Sequence, residues 1–107
     1  MKRGDLVTIS LPGDYGKPRP ALVIQSDLFD PHLSVTVLPV ASELREAPLF
    51  RVRVEPAAKN GLRKSSEVMI DKAYTVAREK VGKTIGQLDA ESMLAVNRAL
   101  AVFLGFA

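Results

Sequence analysis

Arg19 stands between two prolines, in Gly16-Lys17-Pro18-Arg19-Pro20, directly ahead of the apolar run Ala21-Leu22-Val23-Ile24. Proline fixes its own φ and restricts the residue before it, so the backbone carrying this guanidinium is stiffened on both sides. A planar guanidinium at a strand entrance offers two parallel N–H groups to two oxygens of a phosphate. The same placement also fits an arginine that is solvated or salt-bridged at the rim of a barrel. Other reactive groups are sparse. Cysteine is absent, which excludes disulfides and thiolate metal sites. The single histidine, His32, follows Pro31 in a connection and has no second histidine for an acid–base pair, so it reads as a loop residue although imidazole titrates near neutrality. No metal or cofactor is expected.

The elements that must position Arg19 are short strands. In a chain of 107 residues there is room for one domain, spanning 1–107, and not for a second core. A hydrophobic share of 47% with 25% charged residues is that of a globular protein. Tryptophan is absent and aromatics are few, so the core must come from Val, Leu, Ile and Ala. Asp5–Leu11 alternates loosely with period two and reads as a strand, broken by the turn formers of 12–18. Pro20 should sit at a strand entrance, and Ala21–Ile24 should be buried on both faces. Val35–Val40 resumes strand character, with Pro39 marking a bulge or an edge. Leu49–Val54 alternates apolar with basic and predicts a half-solvated antiparallel strand with Arg51 and Arg53 on one face. Further strands are expected at Glu67–Asp71, at Ala73–Val76 and within Lys80–Gln87.

A helix signal appears only after Asp89, a good N-cap, with Glu91 favourable in the first turn. Met93, Val96, Leu100 and Phe103 form a stripe that should pack on the sheet; a dimer seam is the other use. Five to seven short strands and one C-terminal helix predict a mainly β fold, a small SH3-like or OB-like barrel. The net charge of +3 permits a nucleic-acid partner without demanding one. The opening residues enter a strand pattern at once, with no long apolar stretch, so neither a secretory signal nor a membrane span is expected and the cytoplasm is the default location.

Five segments, in order along essentially the whole chain, resemble the MazF/PemK family of toxin endoribonucleases. They are Met1-Lys2-Arg3-Gly4-Asp5-Leu6-Val7, Gly16–Ile24 with its Arg19-Pro20 step, Leu38-Pro39-Val40-Ala41-Ser42, the block Asn60–Asp71, and Ile85–Asp89 before the amphipathic helix. The resemblance implies a CcdB/MazF-type barrel, usually a homodimer, that cuts single-stranded RNA without metal to leave 2′,3′-cyclic phosphate and 5′-hydroxyl ends. It also implies a partner antitoxin whose disordered tail folds across the RNA groove.

By this resemblance Arg19 is the catalytic arginine. The family's second group is the threonine hydroxyl of a Pro-x-Thr-Ser/Thr turn, but here that position is Ala41 and the hydroxyl comes one residue later. Either Ser42 reaches the phosphate after a small shift, or Arg19 works with water and backbone donors. Asp71 matches an acidic position near the scissile bond; the alternative is pairing with Lys72 or a loop donor. After it the family commonly has Gln-x-Arg-Thr where this chain has Lys72-Ala73-Tyr74-Thr75, so contacts made from there must differ. Lys17, Arg51, Arg53, Arg63, Lys64 and Lys72 are candidate contacts to the RNA backbone, and Tyr15 and Tyr74 candidate stacking platforms. Two other functions fit in part: an SH3- or OB-like module that binds RNA or a peptide without cutting, favoured by Ala41, and a CcdB-like toxin directed at gyrase, disfavoured by the Arg-Pro step.

Overall fold

A computed structural model describes residues 1–10 and 17–107; Tyr15, Gly16 and the turn expected around them lie outside the described residues. The described chain forms β1 (Asp5–Ile9), β2 (Arg19–Val23), β3 (Ser34–Ala41), β4 (Arg51–Val54), β5 (Ser66–Met69), β6 (Tyr74–Ala77) and β7 (Val81–Gln87), followed by α1 (Ala90–Leu104). Every pairing is antiparallel, in the order β4-β5-β3-β2-β1-β7, with β6 lying beside β3 off this path.

Alternation along the strands divides the apolar residues between two cores. Leu6, Leu22, Leu38, Val40, Val68 and Val54 point to one side, where Ile70, Leu88 and Val96 of α1 complete the cluster. Val7, Ile9, Ala21, Val23, Val35, Val37 and Val76 point to the other. Strand β2 is buried on both faces, as its continuous apolar run requires. Each leucine so buried contributes about 1.5–3 kcal/mol relative to exposure.

Glycines fix where the strands meet the loops. Gly4 (φ 96°) turns the chain into β1, and the buried Asp5 next to it accepts from the Lys2 N–H at 2.9 Å and from the Gln87 side chain at 3.0 Å. Asn60 is also buried, its Oδ1 accepting from the N–H groups of Ala57 and Leu62 and its amide donating to the Glu55 carbonyl. A Cβ on Gly86 would overlap the Asn60 backbone. Gly86→Ala should therefore force the 57–62 turn off β7 and lower the melting temperature measurably in a thermal scan, because backbone cannot yield as a side-chain end would.

Helix α1 is capped as its sequence dictates. Asp89 accepts from the Ser92 N–H at 3.1 Å, and Gly105 ends the helix in the left-handed region at φ 85°. Its hydrogen bonding to Ser92 holds the Asp89 carboxyl below the usual carboxylate range. A depressed folded-state pKa stabilises above the unfolded value and is lost as pH falls through the folded one. Asp89→Ala should cost about 0.5–2 kcal/mol near neutrality, and urea titrations should show this gap closing in acid.

Four expectations need correcting. Leu49 and Phe50 lie in a turn and the strand begins at Arg51. Ile70 and Asp71 leave the sheet in a 3-10 turn that runs to Lys72. Phe103 is half exposed, because α1 rests chiefly on β4 and the 70–72 turn and the stripe outruns them after Leu100. Arg51 is not on a solvated face: its side chain is 7% exposed, folded onto the buried carboxylate of Glu67.

Candidate functional site

Two prolines shape the site. Strand β3 is long enough to pair with two strands on one edge, β6 opposite Ser34–Val37 and β5 opposite Val40–Ala41. The Ile24 N–H bonds the Thr36 carbonyl at 3.1 Å, which sets the phase of the β2–β3 ladder. Leu22 and Leu38 then exchange bonds, and Pro39 turns its nitrogen to the opposite edge, where it has no hydrogen to donate. The ladder breaks there. Between β5 and β6 the chain leaves the sheet, sending Ile70 into the core and Asp71 and Lys72 outward. Pro20, by the same phase, offers no donor to β3, so the β2–β3 register stops at Ala21–Pro39 while Arg19 stays paired with Ile9 of β1.

Extending that register by two residues puts Arg19 beside Ala41. Ala41 is opposite Glu67, and Glu67 opposite Arg53, so these four residues form a row across β2, β3, β5 and β4. At the Arg19 end opens a cleft of about 630 Å³ with Pro39, Ala41, Met69 and Ala73 among its apolar lining and Arg19, Asp71, Lys72 and Tyr74 as its polar groups. Lys72 Nζ lies 3.8 Å from Asp71 Oδ2. Asp71 Oδ1 is buried and has no hydrogen-bond partner among the described residues. A buried acceptor left open in this way is costly unless something else donates to it.

The other candidate residues are distributed around this cleft rather than in it. Ser42, in the bend just past the end of β3, lines a separate cleft of about 670 Å³ with Pro18, Pro20, Arg63 and Lys64. Lys17 is exposed just before β2. Arg51 and Arg53 line a third cleft, of about 400 Å³, together with Arg45. His32 is an exposed loop residue whose carbonyl accepts from Arg78. Among the described residues no group of His, Asp and Glu is arranged to hold a metal ion.

Glu67 was not singled out from the sequence, yet it organises one wall. Its side chain is 4% exposed; Oε1 accepts from the Arg45 N–H at 2.8 Å and from Arg51 at 3.3 Å, and Arg53 lies 3.6 Å from Oε2. The available signal was register: an acidic residue in a strand, two residues before Met69, facing a strand that alternates arginines.

The described residues form one antiparallel sheet with a C-terminal helix packed against it, and a guanidinium and a carboxylate line one open, largely apolar cleft. The profile of the PemK-like, MazF-like toxins of type II toxin-antitoxin systems matches residues 2–104, and the chain belongs to that family. It is 47% identical over 108 residues to a probable endoribonuclease MazF of Mycolicibacterium smegmatis (strain ATCC 700084 / mc(2)155), covering 100% of this chain and 99% of that protein. It is 30% identical over 112 residues to endoribonuclease EndoA of Bacillus subtilis (strain 168), covering 97% and 94%. Among solved structures, the Mycobacterium tuberculosis toxin MazF-mt6 superposes with a TM-score of 0.80 at 28% identity, over 94% of this chain and 96% of that one.

Proposed function

We propose that this chain is the toxin of a type II toxin–antitoxin pair, a metal-independent endoribonuclease that cuts single-stranded RNA at selected sequences. The observation that carries the reading is the convergence of Arg19 and Asp71 on one open cleft. In the reaction the RNA's own 2′-oxygen attacks the adjacent phosphorus and the bond from phosphorus to the 5′-oxygen breaks. The products carry a 2′,3′-cyclic phosphate and a 5′-hydroxyl. Asp71, whose side chain is partly exposed at the cleft, takes the 2′-hydroxyl proton on its carboxylate through Oδ2, and the departing 5′-oxygen is protonated from solvent. Arg19 holds the phosphate oxygens as charge gathers on them, the term that usually contributes most.

Arg53, half exposed at the far end of the row, supplies a phosphate contact on the same face. Lys17, Arg63 and Lys64 lie outside the cleft and would contact only flanking nucleotides. Each phosphate neutralised should add about 0.7 to the slope of log affinity against log salt. The protein would act in the cytoplasm as a homodimer, with a cognate antitoxin whose disordered tail lies in the RNA groove.

The test is incubation with a long RNA in EDTA. Discrete fragments that disappear with Arg19→Ala support the nuclease; bound but intact RNA would favour a non-catalytic binding module. Ser42→Ala should leave kcat within about twofold of the parent, because that hydroxyl lines a different cleft; a loss near that of the arginine variant would return Ser42 to the site.

A further inference from the structure

We infer that the phenolic hydroxyl of Tyr74 is the second hydrogen-bond donor to the scissile phosphate, acting opposite Arg19. The inference rests on the reading of this cleft as the RNA-cleavage site. A phosphate passing to a five-coordinate species accumulates charge on two non-bridging oxygens, and a guanidinium approaching from one strand covers one side of it. Something must face the other side. Among the described residues lining the cleft, the side chains with a hydrogen to donate are Arg19, Lys72 and Tyr74. Lys72 is drawn toward Asp71, at 3.8 Å. Ala41, in line with Arg19, has no hydroxyl, and Ser42 is turned into another cleft. Among the described residues of the lining, Tyr74 is therefore the one neutral side-chain donor, and its phenol both donates and accepts.

Its placement follows from the fold. Tyr74 is the first residue of β6 and is held opposite Val37 by the β3–β6 ladder, two residues from Pro39 in the cleft lining. With pairing broken at Pro39, Asp71, Lys72 and Tyr74 border the same volume as Arg19. Tyr74 is 37% exposed and borders the open cleft. The hydrogen bond forms to a non-bridging oxygen and no proton leaves the tyrosine; the 2′-hydroxyl proton and the 5′-oxygen are handled as above.

The substitution Tyr74→Phe separates this role from base stacking, since it keeps the ring and removes only the hydroxyl. Cleavage of a defined RNA in EDTA should lose about 10²-fold in kcat with KM nearly unchanged, the usual effect of deleting one preorganised donor. Tyr74→Ala should add a rise in KM. A second readout isolates the phosphate contact. With sulfur in place of one non-bridging oxygen at the cleaved linkage, the parent should discriminate between the two diastereomers, and Tyr74→Phe should lose that discrimination for one of them. Thermal melting of the Phe variant should match the parent. A Phe variant with parental kcat and an unchanged sulfur effect overturns the inference while leaving the nuclease reading intact, provided Arg19→Ala is inactive. Failure of the parent itself to cut RNA defeats both.

Discussion

Arg19→Ala should abolish RNA cleavage to within detection, a fall of at least about 10²–10³ in kcat, with the fold unchanged by circular dichroism and melting. The magnitude follows from removing a preorganised donor aimed at developing charge. The backbone here is rigid without the side chain: Arg19 lies between Pro18 and Pro20 and is paired to Ile9, so truncation should not loosen β2. Arg19→Lys is the sharper comparison. It keeps the charge and loses the two-pronged geometry, so RNA binding should survive at low salt while kcat stays depressed. Parental turnover in the lysine variant would show that charge alone suffices.

The largest stability effect is expected from Glu67→Ala. This carboxylate is the counter-charge of Arg51, whose side chain is 7% exposed and whose Nε has no hydrogen-bond partner among the described residues. Removing it leaves a buried guanidinium uncompensated, which costs about 3–5 kcal/mol. In a domain of this size each kcal/mol moves the melting temperature by about 4–8 °C. It also releases the Arg45 N–H and thereby the 43–47 segment. The double change Arg51→Met with Glu67→Leu should recover much of the loss, because two apolar groups leave no orphaned charge. A double variant as unstable as the single would show that the pair acts through something other than burial of opposite charge.

How much of this was legible in the chain depended on what each residue answers to. The strand around Leu22 follows from its continuous apolar run, that around Val52 from period two, and α1 from Asp89 and the stripe through Val96. Arg19 was legible because two prolines mark it. Asp71 was placed near the site, but as the end of a strand. Its turn arises from the missing N–H of Pro39 on a distant strand, a tertiary cause that local pattern does not carry. Arg51 looked solvated because alternation gives the face and not what covers it; only the β4–β5 register puts Glu67 there. Ser42 and Ala41 show the limit most clearly. Ala41 ends β3 and Ser42 begins the bend after it, so a hydroxyl displaced by one position is in another cleft. The signature segments also separate by cause: Gly4-Asp5, Asn60-Gly61 and Gly86-Gln87 serve backbone turns and buried amides, whereas Arg19 and Asp71 face the open cleft.

The account centres on Arg19 assisting the RNA's own 2′-oxygen, and end-group analysis of the products tests that most directly. RNA cut by the purified protein in EDTA should carry 5′-hydroxyls that accept phosphate from a polynucleotide kinase without prior dephosphorylation. The matching 3′ ends should be 2′,3′-cyclic phosphates, and both should vanish with Arg19→Ala. Fragments bearing 5′-phosphates and 3′-hydroxyls, or cleavage that persists in the alanine variant, would contradict it.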